Sequence, residues 1–225
     1  MTALELTGVS AAYGRAMVLD SVSLRIGRGE IVGVVGRNGV GKSTLLRTIS
    51  GVVPRRKGSI ELDGASLPSS PVAVARRGVA HVPEGRGLFP SLNVLDNLRV
   101  GACASRRARA SLDEVIELVP RIAPLLDRKA GTLSGGEQQL VAIARALAAR
   151  PRFVLVDEAS LGLSPRAAGE VYALLQDVAA NDVGCLLVDQ NIAAVQRMST
   201  RVYVLGSGSA HCVEGTEIQA ADLYA

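Results

Sequence analysis

The sequence predicts an α/β fold, a mostly parallel sheet interrupted by a helical insertion. Three observations carry this. Short runs of β-branched residues alternate with helical stretches towards both ends of the chain. Strand signals largely vanish between about residues 85 and 150. A glycine-rich loop joins one apolar strand directly to a helix. Alternation of this kind places helices on the faces of a parallel sheet.

The elements follow in order. EIVGVVG (30–36) is a β-rich apolar run, and KSTLLRTISG (42–51) after the loop has helical spacing and stops at Gly51. GSIELDG ends in an Asp-Gly turn signal; SPVAVARRG offers Ser70 as N-cap with Pro71 in the first helical position; GVAHVPE is another short strand. SLNVLDNLRVGA and SLDEVIELVP read as helices of the insertion. Strands return with RFVLVDE, with GCLLVDQ after the helical PRAAGEVYALLQDVAAN, and with TRVYVLG after NIAAVQRMS.

At 225 residues the chain fits one core with a modest insertion, read as a single domain over 1–225 with a helical subdomain at about 85–150. No apolar run approaches the roughly 20 residues that span a bilayer, although mean hydropathy is +0.27. The start, MTALELTGVSAAYG, lacks a basic segment followed by a long apolar one, so the expected address is the cytoplasm. Cys103, Cys185 and Cys212 are scattered and read as reduced thiols. Net charge is +4, with basic runs at 55–57 and 106–110, but Trp is absent and aromatics are 3%. Little is left for base stacking, and no nucleic-acid partner is expected.

Two stretches invite an anion. GRNGVGKST supplies Gly36, Arg37, Asn38, Gly39, Val40, Gly41, Lys42, Ser43 and Thr44, in the spacing G-x-x-x-x-G-K-[ST]. Its glycines let backbone N–H groups converge on phosphate oxygens, Lys42 adds a cation for the β and γ phosphates, and Ser43 can offer its hydroxyl to Mg²⁺. A ligand-free glycine turn is the alternative. FVLVDE places Asp157 and Glu158 at the carboxyl end of a strand, where α/β sheets bind ligands. Beside a phosphate loop, Asp157 suits a ligand to Mg²⁺ and Glu158 a general base for an attacking water; chance placement of two acids is the other reading.

The second stretch, TLSGGEQQLVAIARAL (132–147), opens a helix with Ser134, Gly135, Gly136 and Glu137. Ser134 and Glu137 make a capping box, but Gly135 and Gly136 cost roughly 1 kcal/mol each in helix propensity, so something should approach this backbone closely. The helix runs through Arg-Pro into the strand ending at Asp157, which returns Ser134 towards the phosphate edge but sideways and outward. A two-fold pairing would let each chain lend this helix mouth to the nucleotide of its partner.

With LSGGEQQ between the phosphate loop and Asp157-Glu158, essentially the whole chain resembles the ATP-binding subunit of an ABC transporter. The resemblance implies a P-loop NTPase core with an N-terminal antiparallel β part and a helical insertion, and two ATP molecules sandwiched head to tail in an ATPase dimer. It also implies that Tyr13 stacks on adenine, where an ordinary strand-end tyrosine is the alternative. VPEGRGLFPSLNVLDNL and LLVDQN are similar to the F-type ATPase of branched-chain amino-acid importers. Glu84 stands where most of the family has Gln, as a further oxygen ligand for Mg²⁺. Gln190 replaces the usual His; it can donate to the γ-phosphate but cannot ionise near neutrality.

The implied partners are a second, identical or different ATPase, membrane permease subunits and, indirectly, a substrate-binding protein. The implied location is the inner face of the cell membrane. Urea or amide importers and non-transport ABC regulators are the competing functions. Ala159 stands where the family usually has proline, and the tail from Gly206 is looser than the usual closing strand and helix. His81, in a strand, reads as structural.

Overall fold

The chain opens with two long strands, β1 (Ala3–Tyr13) and β2 (Ala16–Gly27), which pair antiparallel with several register shifts. β3 (Ile31–Val35) leads through the glycine loop into α1 (Lys42–Ile49). β4 (Arg55–Leu62) and the two-residue β5 (Ala65–Ser66) rejoin the first strands in an antiparallel sheet of order β2-β1-β4-β5. α2 (Pro71–Arg76) then leads to β6 (Val79–Val82); Ser70 is its N-cap in backbone geometry, without a side-chain hydrogen bond.

The insertion carries α3 (Val94–Ala102), α4 (Ala108–Leu118), two short 3-10 turns at 120–125 and 130–132, and α5 (Gly135–Leu147). β7 (Phe153–Asp157), α6 (Pro165–Ala180), β8 (Gly184–Val188), α7 (Ile192–Met198) and β9 (Arg201–Gly206) follow. Within the tail, residues 209–213 form β10 (Ser209–Val213), antiparallel to β9, and the rest of it, 214–225, lies outside the described residues. This computed structural model describes residues 3–103 and 108–213, apart from the side chains of 108–111. The basic run at 106–110 therefore lies largely outside the described residues. Among them, no helix is long and apolar enough to cross a membrane.

The second sheet has the order β10-β9-β3-β8-β7-β6, and all its pairings except β10 with β9 are parallel. Every residue of β3, β7 and β8 is buried, which is why these strands read as unbroken apolar runs rather than as alternation. Their side chains divide by pleat. Val154, Val156, Cys185 and Leu187 join α3, α5 and α6 in one core, whereas Phe153, Leu155, Leu186 and Val188 meet α1 and the antiparallel sheet in the other. Because they pair in parallel, the carboxyl ends of β3, β6, β7 and β8 open on the same edge.

Candidate active site

The phosphate loop leaves β3 at that edge. Gly41 is the N-cap of α1 at φ 115, a left-handed value that a side chain would resist. It is this turn that points the first N–H groups of α1 into the pocket. Lys42 is only 5% exposed, and its Nζ donates to the Gly36 and Arg37 carbonyls at 2.8 and 3.0 Å. Burial lowers its pKa, while the carboxylates of Glu158 and Asp157 oppose that shift. The resulting pocket has a volume of about 290 Å³. Asn38, Gly39, Gly41, Lys42, Ser43 and Thr44 form one wall, with Glu84, Glu158 and Gln190 facing them.

Asp157 is 1% exposed, and neither of its carboxylate oxygens has a hydrogen-bond partner. Burial raises its pKa; the nearby Ser43 hydroxyl opposes this and Glu84 adds to it. An orphaned buried carboxylate beside a serine hydroxyl and a second acid is an incomplete oxygen set of the kind a small divalent cation completes. Among the described residues, no group of three or more His, Cys, Asp or Glu could hold a metal ion by itself. Mg²⁺ fits this poverty, since it is held by one or two carboxylates together with waters and substrate phosphates.

Glu158 adopts φ 54, and its N–H donates to Val188 O at 2.8 Å. Burial raises its pKa, with Gln190 and Lys42 opposing. Gln190 Nε2 donates to both Glu158 oxygens, so in this structure its amide is engaged by the carboxylate. Tyr13 ends β1 with about half its surface exposed, and its hydroxyl meets Thr44 and Arg47, whose hydrogen bonds lower its pKa. The structure thus brings Tyr13, the loop, Glu84, Asp157, Glu158 and Gln190 together.

Ser134, Gly135, Gly136 and Glu137 do not line that pocket. Ser134 is exposed at the start of α5, and the capping box is formed: Ser134 N and Oγ donate to Glu137 Oε2 at 2.7 and 2.8 Å, while Glu137 N donates to Ser134 Oγ at 3.4 Å. These bonds, chiefly the one from the Ser134 hydroxyl, hold the Glu137 pKa low. Gly136 is explained within the chain. A methyl at Gly136 would lie 2.8 Å from Ala167 Cβ, and one at Gly135 would lie 3.1 Å from Arg86 Nη2. Helix α6 therefore makes a close approach to Gly136, whereas the nearest neighbour of Gly135 is the movable end of the Arg86 side chain.

The ABC transporter family profile matches residues 19–161, well over half of the chain. The chain belongs to the ABC transporter ATPases. It is 39% identical over 203 residues to the high-affinity branched-chain amino acid transport ATP-binding protein BraG of Pseudomonas aeruginosa, covering 89% of this chain and 87% of that one. It is 35% identical over 217 residues to the lipopolysaccharide export system ATP-binding protein LptB of Escherichia coli K12, covering 92% and 88%. Among solved structures, the dimeric post-hydrolysis state of the ATP-binding cassette MJ0796 bound to ADP and Pi superposes with a TM-score of 0.81 at 26% identity, over 95% of this chain and all of that one.

In this ABC ATPase, Asp189 escaped the sequence reading. It is 2% exposed and accepts four hydrogen bonds, from Ser160 N and Oγ, Tyr172 Oη and Asn191 N, at 2.8 to 3.1 Å. It follows directly on β8, a position that by itself does not announce these donors. Arg86, Gln138 and Arg145 were also missed. Arg86 donates to Gln138 Oε1 at 2.7 Å, and Arg145 donates to the Gly87 carbonyl, which ties the loop carrying Glu84 to α5.

Proposed function

We propose that this chain is the ATP-hydrolysing subunit of an importer for branched-chain or other hydrophobic amino acids. The observation that carries hydrolysis is the pair at the end of β7: an unpartnered buried Asp157 and a Glu158 of raised pKa facing the phosphate loop. Identity to BraG supports the cargo.

In this reading residues 36–44 cradle the phosphates, Lys42 neutralises their charge and Tyr13 stacks on adenine. Ser43, Glu84 and Asp157 hold Mg²⁺, which when bound offsets phosphate charge in the transition state. Glu158 takes the proton of the attacking water. Gln190 exchanges its bonds to Glu158 for one to the γ-phosphate. Ser134, Gly135, Gly136 and Glu137 serve the nucleotide of a second ATPase, identical or different. The single cassette, with 85–150 as its helical subdomain, sits on permease subunits at the inner face of the cell membrane, and a substrate-binding protein delivers the cargo.

LptB favours a second reading, an ATPase of an export system. Affinity purification of the tagged chain from its own membranes separates them. Import requires two permease proteins and a binding protein that carries an amino acid. Recovery of a binding protein loaded with urea or an amide reassigns the cargo, recovery of an export permease reverses the direction, and recovery with ribosomes or DNA overturns transport.

A further inference from the structure

Glu158 stands in the left-handed region at φ 54, a conformation uncommon for a glutamate. Its own N–H is fixed by Val188 O on one side. On the other side, two residues on, Ser160 is gripped twice by Asp189, through its backbone N–H at 2.9 Å and its hydroxyl at 2.8 Å. Asp189 is in turn held by Tyr172 of α6 and by Asn191 N, and its neighbour Gln190 meets the Glu158 carboxylate. Ala159, buried between Glu158 and Ser160, lacks the ring that would restrain φ there.

We propose that Asp189 is a positioning residue for hydrolysis: by clamping Ser160 to the end of β8 it keeps Glu158 in the backbone conformation that presents its carboxylate to the pocket. This rests on Glu158 acting as the base. Asp189 touches no substrate; it acts through Ser160. All four groups around its carboxylate are donors, so an asparagine would turn its NH₂ against at least one of them and release part of the clamp.

The test uses the purified full chain, with steady-state phosphate release and titration of a fluorescent ATP analogue. Asp189→Asn should lower kcat by roughly ten- to a hundred-fold, as expected for a misplaced catalytic group, while the analogue's Kd stays within about two-fold. Ser160→Ala, which removes only the hydroxyl, should lower kcat in the same sense. The double variant should be no slower than the worse single one, because both act through one clamp. Wild-type kcat in Asp189→Asn, or losses that multiply in the double variant, would overturn the proposal. Should Asp189→Asn fail to fold, Ser160→Ala decides alone: an unchanged kcat overturns the clamp. Glu158→Gln is run beside them. Full activity there sinks the base assignment; its loss together with a normal Asp189→Asn sinks only the role of Asp189.

Discussion

The Gln190 amide lies 3.0 and 2.8 Å from the two carboxylate oxygens of Glu158 and donates to both. Glutamine at position 158 would still accept from Gln190 but could take no proton from water. Glu158→Gln should therefore keep nucleotide affinity and lose turnover by about 10²-fold or more. Phosphate release and analogue titration read the two effects separately, and retained turnover would move the base elsewhere.

A histidine at position 190 would face the same carboxylate, which favours its charged form. Between pH 6 and 8 the wild type should show no inflection assignable to Gln190. Gln190→His should gain one at or above the usual histidine pKa of about 6.5. Below it the imidazolium pairs with Glu158 and masks the base, so turnover rises as the proton leaves. Identical kcat profiles would remove Gln190 from the site.

His81 offers a pH effect on stability instead. Burial, with the Arg47 charge adding to it, pushes its pKa down to about 4, and Nε2 has no partner. The native state keeps the ring neutral while the unfolded chain protonates near 6.5, so stability is complete above that pH and lost as pH falls towards 4. The loss is on the order of 3 kcal/mol. Urea midpoints at pH 7 and pH 4.5 should differ less in His81→Leu than in wild type; an unchanged difference would place the dependence in other groups.

Gly136 and Ala167 make a reciprocal pair, since a methyl at Gly136 would meet Ala167 Cβ at 2.8 Å. Gly136→Ala should destabilise by about 1–3 kcal/mol through overpacking, and Ala167→Gly should return most of it. Urea unfolding of the two single variants and the double one checks this, and additive losses would refute the contact.

These examples show what was legible beforehand. The phosphate loop was, because its geometry is local and glycine spacing encodes it. β3, β7 and β8 were, because burial on both faces leaves only apolar residues. Asp189 was not: its donors Ser160 and Tyr172 lie 29 and 17 residues away, and nothing near position 189 announces them. The strand order β10-β9-β3-β8-β7-β6 and the shifted register of β1 are likewise long-range outcomes. Gly135 and Gly136 were legible as a close approach, and at Gly136 helix α6 of the same chain makes one.

Complementation tests the shared site directly. Lys42→Ala damages a chain's own loop and Ser134→Arg what it lends, so each alone should be nearly inactive. In a mixed dimer both defects fall in one site and the other is intact. Random exchange at equal amounts should restore about a quarter of wild-type turnover for a self-pairing chain. With a different ATPase as partner, the two variants should cripple opposite sites. No recovery, despite demonstrated exchange and independent sites, would mean that α5 serves its own chain.

The capping box also bears on reversibility. With its hydroxyl already given to Glu137, Ser134 in the proposed shared site would greet an arriving phosphate not as an empty socket but as a hand already held. Docking would trade one hydrogen bond for another, and undocking would trade it back. Both acceptors are anions, so the two bonds are of one class, about 1.5–3 kcal/mol net each, and such a swap stays close to balance. A contact made and broken at every turnover, as the proposed shared site requires, would be served better by that near-indifference than by tightness.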